Sequence, residues 1–128
     1  MIIGVGIDMV SISELTGLIE RLGAPFLNRT FTKNEIDASK HTDDEVVYLS
    51  TRFAAKEAVF KAVAHFTKNK TFDLRIVETL EGSDGYPIVQ ITEELRVLLN
   101  EAGIESLYVS MSTESDLAIA FVVASSDN

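Results

Sequence analysis

Four charged side chains interrupt a segment that otherwise predicts an apolar helix. The segment TRFAAKEAVFKA, residues 51–62, contains Arg52, Lys56, Glu57 and Lys61. Its alanines, with no Gly or Pro, favour helix. Residues four apart are neighbours on a helix, so Glu57 lies beside Lys61 and Arg52 lies beside Lys56. The first pair is complementary, whereas two like charges repel each other unless an anion lies over them, which favours ligand binding at Arg52 and Lys56.

The helix that carries these charges is predicted to be buried. From Val46 to Val63 it is apolar on nearly every side, which is typical of a helix packed against several neighbours. Buried charges are costly unless they are paired, hydrogen-bonded or bound to a metal. Glu57 and Lys61 therefore have two interpretations, namely functional ligands or a simple ion pair, which contributes only about 0.3–0.5 kcal/mol when exposed.

A carboxylate near the N-terminus is the second candidate. Asp8 ends the apolar run MIIGVGID, in which Gly4 and Gly6 allow a close backbone approach. A carboxylate at the end of a strand can bind a divalent cation, because hard cations prefer oxygen ligands. Asp8 could equally cap the helix that begins a few residues later. Both interpretations stay open.

Two loops offer weaker signals. The segment SMSTESD, residues 110–116, could bind an anion or accept a proton, and it also has the composition of a solvent-facing turn. The turn GSDGYP, residues 82–87, could form a flat pocket with Tyr86, or simply join two strands. His41 and His65 lack metal-ligand spacing and are interpreted as structural or exposed.

Composition narrows the functional class. The 128 residues carry 20 acidic and 11 basic side chains, a net charge of −9, which argues against nucleic-acid binding. The absence of Cys excludes disulfides and thiolate chemistry and fits a reducing compartment. No apolar run reaches 18 residues, and the start reads as a strand rather than a signal peptide, so a cytoplasmic protein without a membrane span is expected. A basic cluster within residues 52–70 suggests a small anionic ligand, although Lys68 and Lys70 are interpreted as solvated.

The remaining patterns predict one α+β domain over residues 1–128. A first strand is followed by a helix that begins at Ser11 or Ser13, ends near Arg21 and is closed by Gly23. Capping-box patterns at Thr32–Glu35 and Thr42–Glu45 open a short helix and the long helix, which is expected to end near Phe66. The first strand is predicted at 2–9. The other predicted elements are strands at 74–80 and 88–91, a helix at 92–103 capped by Thr92 and stopped by Gly103, and a hairpin of 107–112 with 117–124.

Five motifs occur in an order that matches a known family. They are GIDMVSI at 6–12, FTKNE at 31–35, RFAAKEAVFKA at 52–62, DGYP at 84–87 and VSMSTESDLAIAFVV at 109–123. Together they resemble the holo-acyl-carrier-protein synthase family, the small stand-alone 4′-phosphopantetheinyl transferases. The resemblance extends from end to end, and the combination of GID with the KEA-x-x-K helix is its strongest part.

This resemblance implies a fold and a reaction. The fold would be an antiparallel sheet packed on a long central helix, with the sheets assembled in a homotrimer and active sites between subunits. The reaction would move the phosphopantetheine arm of coenzyme A to a serine of an acyl carrier protein, or of a carrier domain in a fatty acid or polyketide synthase. Adenosine 3′,5′-bisphosphate would be released.

The resemblance also implies roles for individual residues. Asp8 and Glu57 would hold Mg²⁺, with substrate oxygens and water completing the shell. Lys61 matches the lysine that contacts the diphosphate and moves a proton. Four further positions, together with Thr113, match the surroundings of coenzyme A: Arg52 and Lys56 near its phosphates, and Gly85 and Pro87 near its adenine.

Two positions depart from the family pattern. Thr113 occupies the usual His position, and a hydroxyl cannot act as a base near neutral pH, so Glu114, Lys61 or a metal-bound water would take the serine proton. Glu14 occupies a position where many members have an Arg on the helix that docks the carrier. Arg21 or Arg29 could substitute for it, or the carrier could be less acidic.

Two alternatives accompany the transferase hypothesis. A catalytically weakened homologue would bind coenzyme A or a carrier without transfer, with Thr113 as its mark. A plain oligomeric module with a helix ion pair would neither bind coenzyme A nor depend on metal.

Overall fold

The computed structural model describes residues 1–68, 70–71 and 73–127. Among these residues, one strand is followed by four helices, a strand hairpin, a fifth helix and a second hairpin. The elements are β1 (Ile2–Ser11), α1 (Ile12–Leu22), α2 (Ala24–Thr30), α3 (Lys33–Ser39), α4 (Glu45–Val63), β2 (Glu78–Glu81), β3 (Pro87–Gln90), α5 (Glu93–Ala102), β4 (Ser106–Glu114) and β5 (Leu117–Ser125). Short 3₁₀ turns occupy Ala64–Phe66 and Leu74–Ile76.

The strands form two antiparallel sheets. The larger one has the order β1-β5-β4, and β2 pairs with β3 in a separate hairpin. Helix α4 packs on the inner face of the larger sheet, where its alanines and Val59 meet Ala120 and Val122 of β5. The predicted class, an α+β domain with an antiparallel sheet on a long central helix, is confirmed. None of the helices among the described residues is long and apolar enough to cross a membrane.

Strand β1 and helix α4 touch through their backbones. A Cβ atom on Gly6 would lie 2.0 Å from the carbonyl oxygen of Ala58, and one on Gly4 would lie 2.4 Å from that of Ala62. Neither distance is compatible with a side chain, so both glycines are required here, as the sequence predicted. This contact brings the next two residues of the strand, Ile7 and Asp8, close to α4.

Several predicted helix boundaries are confirmed by their hydrogen bonds. The hydroxyl of Ser11 accepts a bond from the backbone N–H of Glu14 at the start of α1. Thr32 and Glu35 form the reciprocal capping box of α3. Thr92 caps α5, and Gly103 ends it in the left-handed conformation with φ of 74°.

Other boundaries were predicted wrongly. Helix α4 begins at Glu45 with Asp44 as its cap, because the carboxylate of Asp44 accepts bonds from the first backbone N–H groups; Thr42 does not cap it. Residues 74–76 form a 3₁₀ turn instead of the start of a strand. Helix α2, with Pro in its first turn, was missed because its seven residues are too few for a helical period. The loop expected at 113–116 is shorter, because strand β4 continues to Glu114.

Candidate active site

Asp8 and Glu57 line the same cavity. Asp8 comes from β1 and Glu57 from α4, and the space between these elements and α1 has a volume of about 280 Å³. Its wall also contains Glu14 and the apolar side chains of Leu15, Leu18 and Phe53, so the cavity combines carboxylates with an apolar lining. The two residues that the family resemblance identifies as metal ligands are therefore together, although they lie far apart in the sequence.

Lys61 binds Asp8 rather than Glu57. Its amino group donates to Oδ1 of Asp8 at 2.9 Å and to the carbonyl oxygen of Ile7 at 3.0 Å. Among the ion pairs of the described residues, Lys61 appears with Asp8 and not with Glu57. The interpretation of Glu57 and Lys61 as an i,i+4 ion pair is therefore wrong. Asp8 does not cap α1 either, since Ser11 does so.

The electrostatics of Glu57 favour a cation. Burial raises the pKa of the Glu57 carboxyl, the negative charge of Asp8 raises it further, and Lys61 lowers it. Two carboxylates that repel each other in a half-buried cavity are stabilised by a divalent ion with oxygen preference. No group of three or more His, Cys, Asp or Glu in the described part of the chain could hold a metal. The donor set thus fits Mg²⁺ only if substrate and water supply the remaining oxygens.

A second cavity is lined by four other residues that were predicted to bind the substrate. Its volume is about 270 Å³, and Arg52, Gly85, Pro87 and Thr113 all contribute to its wall. Gly85 has a φ of 85° in the turn between β2 and β3, a conformation that favours glycine. Thr113 lies opposite Ala118 near the end of β4. The family resemblance implies that these residues surround one ligand, and the structure brings them together.

Arg52 lines this cavity, and its guanidinium is only partly hydrogen-bonded. The side chain is 5% exposed, its Nε donates to the carbonyl oxygen of Thr79 at 3.2 Å, and one terminal nitrogen donates to Thr51 Oγ1 at 3.1 Å. The guanidinium carbon lies 3.7 Å from the centre of the Tyr48 ring. Its other terminal nitrogen has no hydrogen-bond partner among the described residues. An unpaired, buried cationic donor beside a cavity is suited to bind an anionic oxygen.

Lys56 does not contribute to either cavity, which corrects the expectation that it contacts a phosphate. Its side chain is fully buried, and its amino group forms an ion pair with Oε1 of Glu35 at 2.7 Å. The same group donates to the carbonyl oxygens of Leu74, at 3.0 Å, and of Val77. All three donors are therefore used. The anion near the like-charged Arg52 and Lys56 is the carboxylate of Glu35, which sequence reasoning treated only as part of a helix cap.

Glu114, the remaining candidate, lies near the β4–β5 turn. Glu114 is the exposed last residue of β4, and Asp116 follows in the turn. The carboxylate of Asp116 accepts hydrogen bonds from Ser13 and Ser11, and these bonds lower its pKa. Asp116 therefore fastens the turn to the start of α1. Of the segment 110–116, Thr113 and Glu114 stay available for chemistry.

The two cavities lie on different sides of α4. Phe53 and Glu57, one turn apart, face the carboxylate cavity, whereas Thr51 and Arg52 face the other. The cavities share no residue of their walls. In a single chain, the residues that the family resemblance implies for one site therefore lie in two separate cavities.

Comparisons with known proteins agree on one family. The family model described as the 4′-phosphopantetheinyl transferase superfamily matches residues 4–122. The holo-[acyl-carrier-protein] synthase of Thermodesulfovibrio yellowstonii is 37% identical over 123 residues, which are 96% of this chain and 98% of that protein.

Solved structures show the same fold. The crystal structure of holo-[acyl-carrier-protein] synthase from Neisseria meningitidis has a TM-score of 0.87 and 34% identity, covering 98% of this chain and 99% of that one. The Helicobacter pylori holo-[acyl-carrier-protein] synthase in complex with coenzyme A has a TM-score of 0.79 and 27% identity, covering 94% and 99%.

Proposed function

Because this chain belongs to the holo-[acyl-carrier-protein] synthase family of the 4′-phosphopantetheinyl transferase superfamily, we propose that it transfers the 4′-phosphopantetheine arm of coenzyme A to a serine of an apo acyl carrier protein. The carrier is one that serves fatty acid synthesis, free or as a domain of a larger synthase. The observation that carries the proposal is the meeting of Asp8 and Glu57 in one cavity, where the pKa of Glu57 is raised.

The reaction joins the serine oxygen to the phosphorus next to pantetheine. The bond between this phosphorus and the bridging oxygen breaks, adenosine 3′,5′-bisphosphate leaves, and the serine proton passes to a base. Asp8 and Glu57 would hold Mg²⁺, which supplies charge stabilisation on the diphosphate. Lys61 supplies a further cation next to Asp8, and the unpaired donor of Arg52 binds a phosphate oxygen of the nucleotide end.

Glu114 is the proposed proton acceptor. The hydroxyl of Thr113 cannot act as a base near neutrality, and the amino group of Lys61 is already bound to the carboxylate of Asp8 at 2.9 Å. Glu114 is exposed at the end of β4. It follows Thr113, which lines the second cavity together with Arg52, Gly85 and Pro87; this cavity is called the nucleotide cavity below. If it accepts the proton, Glu114→Gln lowers kcat strongly, and Thr113→His is tolerated. An unchanged kcat in Glu114→Gln would exclude this role.

The active unit is proposed to be a homotrimer with sites between protomers. Apolar side chains on the outer face of the larger sheet are exposed in a single chain: Val5, Ile7, Met9, Tyr108 and Phe121. A contiguous exposed apolar surface of this kind favours association with another protein surface. Contact between copies would also bring the carboxylate cavity of one protomer to the nucleotide cavity of its neighbour.

Mass spectrometry of a carrier tests the proposed function. The protein is incubated with coenzyme A, Mg²⁺ and several apo carriers, free or excised from synthases, and each carrier is weighed. We expect the added mass of phosphopantetheine on at least one carrier, its loss in Glu57→Gln, and retention of the fold in that variant. Coenzyme A binding without added mass on any carrier would instead support the weakened homologue that Thr113 suggests.

A further inference from the structure

A buried ion pair joins three segments behind the nucleotide cavity. Oε1 of Glu35 accepts bonds from Lys56 Nζ at 2.7 Å and from the backbone N–H of Thr32 at 3.0 Å. Its Oε2 accepts a bond from the backbone N–H of Thr79 at 3.1 Å. Glu35 and Lys56 are both fully buried. Helices α3 and α4 and strand β2 are thus tied to a single carboxylate.

Strand β2 connects this pair to Arg52. The N–H of Thr79 points to Glu35, and the carbonyl oxygen of the same residue accepts the bond from Arg52 Nε at 3.2 Å. Lys56 lies one helical turn after Arg52 and holds the chain just before β2 through the carbonyl oxygens of Leu74 and Val77. The backbone N–H and the carbonyl oxygen of Thr79 are therefore both held by hydrogen bonds.

The same strand leads into the wall of the cavity. Strand β2 ends at Glu81, the turn after it contains Gly85, and Pro87 begins β3; all three residues line the cavity. A movement of β2 would displace this turn and remove the acceptor that orients the guanidinium of Arg52. The free donor of Arg52 and the adenine side of the cavity consequently depend on one strand position.

Stability alone does not explain an ion pair at this place. Replacing a buried pair by apolar side chains of similar volume is often neutral or stabilising, because two charges no longer lose their hydration. Hydrogen bonds differ from apolar contacts in having direction, and every bond of this pair goes to the backbone of β2, to the segment before it or to the start of α3. The pair is therefore suited to fix a position.

We propose that Glu35 and Lys56 are positioning residues that set the affinity of this enzyme for the nucleotide end of coenzyme A by fixing β2, its turn and Arg52. Neither side chain touches the substrate, since both are fully buried. The carboxylates Asp8 and Glu57 lie in the other cavity and do not depend on β2. This role rests on the proposed function, because its readout is the transfer reaction and coenzyme A binding.

Two variants separate positioning from folding. The double variant Glu35→Met with Lys56→Met replaces the pair by side chains of similar volume and leaves no charge buried. The single variant Glu35→Gln keeps the shape, but one end of an amide is a donor, so it loses either the bond from Thr79 N–H or the bond from Lys56. The second variant keeps the test independent of the folding of the first.

In both variants we expect the KM and the calorimetric Kd for coenzyme A to rise about tenfold, equivalent to ~1.4 kcal/mol. The value of kcat at saturation and the Mg²⁺ concentration for half-maximal rate should stay within about twofold, since interactions on the metal side are kept. The preference for coenzyme A over 3′-dephospho-coenzyme A should fall to that of Arg52→Met, because the same guanidinium is displaced.

The exposed ion pair Arg75–Asp73 provides a matched control, since it precedes β2 in the chain but lies at the surface. Arg75→Met should leave KM and Kd unchanged. An unaltered KM for coenzyme A in a folded pair variant, or a fall in kcat with KM unchanged, would overturn the proposal. Failure of the wild-type protein to modify any carrier would instead contradict the proposed function, and the Kd for coenzyme A would still test the pair.

Discussion

At the scale of single residues, the carboxylate cavity between β1 and α4 carries more negative charge than Lys61 alone neutralises. Lys61 is bound to Asp8 at 2.9 Å, and its side chain is half-exposed, whereas the side chain of Asp8 is largely covered. Glu57 has no ion-pair partner among those identified in the described residues, and its pKa is raised by burial and by Asp8. The cavity is therefore prepared for a further cation, and the protein without metal bears a destabilising carboxylate.

The first prediction follows from the raised pKa of Glu57. A carboxyl whose pKa is higher in the folded state favours folding below its unfolded pKa, and this contribution is lost as the pH rises through the folded value. In the presence of a chelator, Glu57→Gln should therefore have a higher Tm than the wild type at pH 8. The difference should vanish at pH 4, as measured by calorimetry. Glu105→Gln, at an exposed carboxylate, is the control, and equal Tm values for Glu57→Gln and wild type at pH 8 would contradict the assignment.

The second prediction concerns competition between Lys61 and a metal for Asp8. Since the ammonium now contacts Oδ1, a bound cation must share this carboxylate with it or displace it. Lys61→Met should strengthen Mn²⁺ binding, measured by electron paramagnetic resonance, by about threefold, the size of one partly exposed ion pair. Transfer should nevertheless slow, because the diphosphate loses a cation. Weaker Mn²⁺ binding in this variant would show that Lys61 supports the metal site.

At the scale of elements, the site depends on how closely β1 approaches α4. The carboxylate of Asp8 reaches Glu57 only because Gly6 lets the strand backbone lie on the helix. The sheet register then places Asp8 opposite Ala120, a small residue under the same helix. Small residues at the contact thus determine the geometry of a charged cavity that none of them touches.

The third prediction tests this contact. Gly6→Ala would place a Cβ atom 2.0 Å from the carbonyl oxygen of Ala58, so β1 and α4 must separate. We expect a loss of stability of about 2–4 kcal/mol, typical of severe overpacking, and a lower affinity for Mn²⁺. Gly17→Ala in α1, where the added atom meets nothing within 4 Å, should stabilise by about 0.5–1 kcal/mol. Denaturant unfolding of both variants measures the difference, and a stable Gly6→Ala protein with normal Mn²⁺ binding would contradict it.

Sequence patterns predicted those elements whose signals are local. The caps at Thr32 and Thr92 and the glycine stop at Gly103 depend on neighbours along the chain, and all three are confirmed. The partner of Lys56 could not be predicted in this way, because Glu35 lies 21 positions earlier and reaches it only after α3 packs on α4. The ion pair of Lys61 was misassigned for the same reason, since Asp8 arrives from a strand.

At the scale of the whole molecule, the position of the two cavities argues for an assembly. They lie on different sides of α4, and the outer face of the larger sheet is apolar and exposed in one chain. Under the proposed function, coenzyme A would contact both cavities, with its diphosphate beside Asp8 and Glu57 and its 3′-phosphate beside Arg52. Copies that meet through the sheet face would form one complete site from two protomers.

The last prediction uses mixed oligomers to locate the site. Glu57→Gln inactivates the carboxylate half and Arg52→Met weakens the nucleotide half, so activity is measured at a coenzyme A concentration far below the wild-type KM. The two variants are mixed in equal amounts by refolding. If Glu57 of one protomer works with Arg52 of its neighbour, about one quarter of the interfaces are intact in a random closed oligomer, so about one quarter of wild-type activity should return. If both residues act within one protomer, no chain is intact and no activity returns.

A second mixture distinguishes the same two arrangements, but here a site between protomers gives the lower activity. Wild-type protein is refolded with an equal amount of the double variant that carries both substitutions. A site between protomers needs two adjacent wild-type chains, which leaves about one quarter of the activity, whereas a site within one protomer leaves about one half. Light scattering on each mixture checks that the oligomer has formed. Equal recovery of one quarter in both mixtures is the expected result, and values near zero and one half would place the complete site in a single chain.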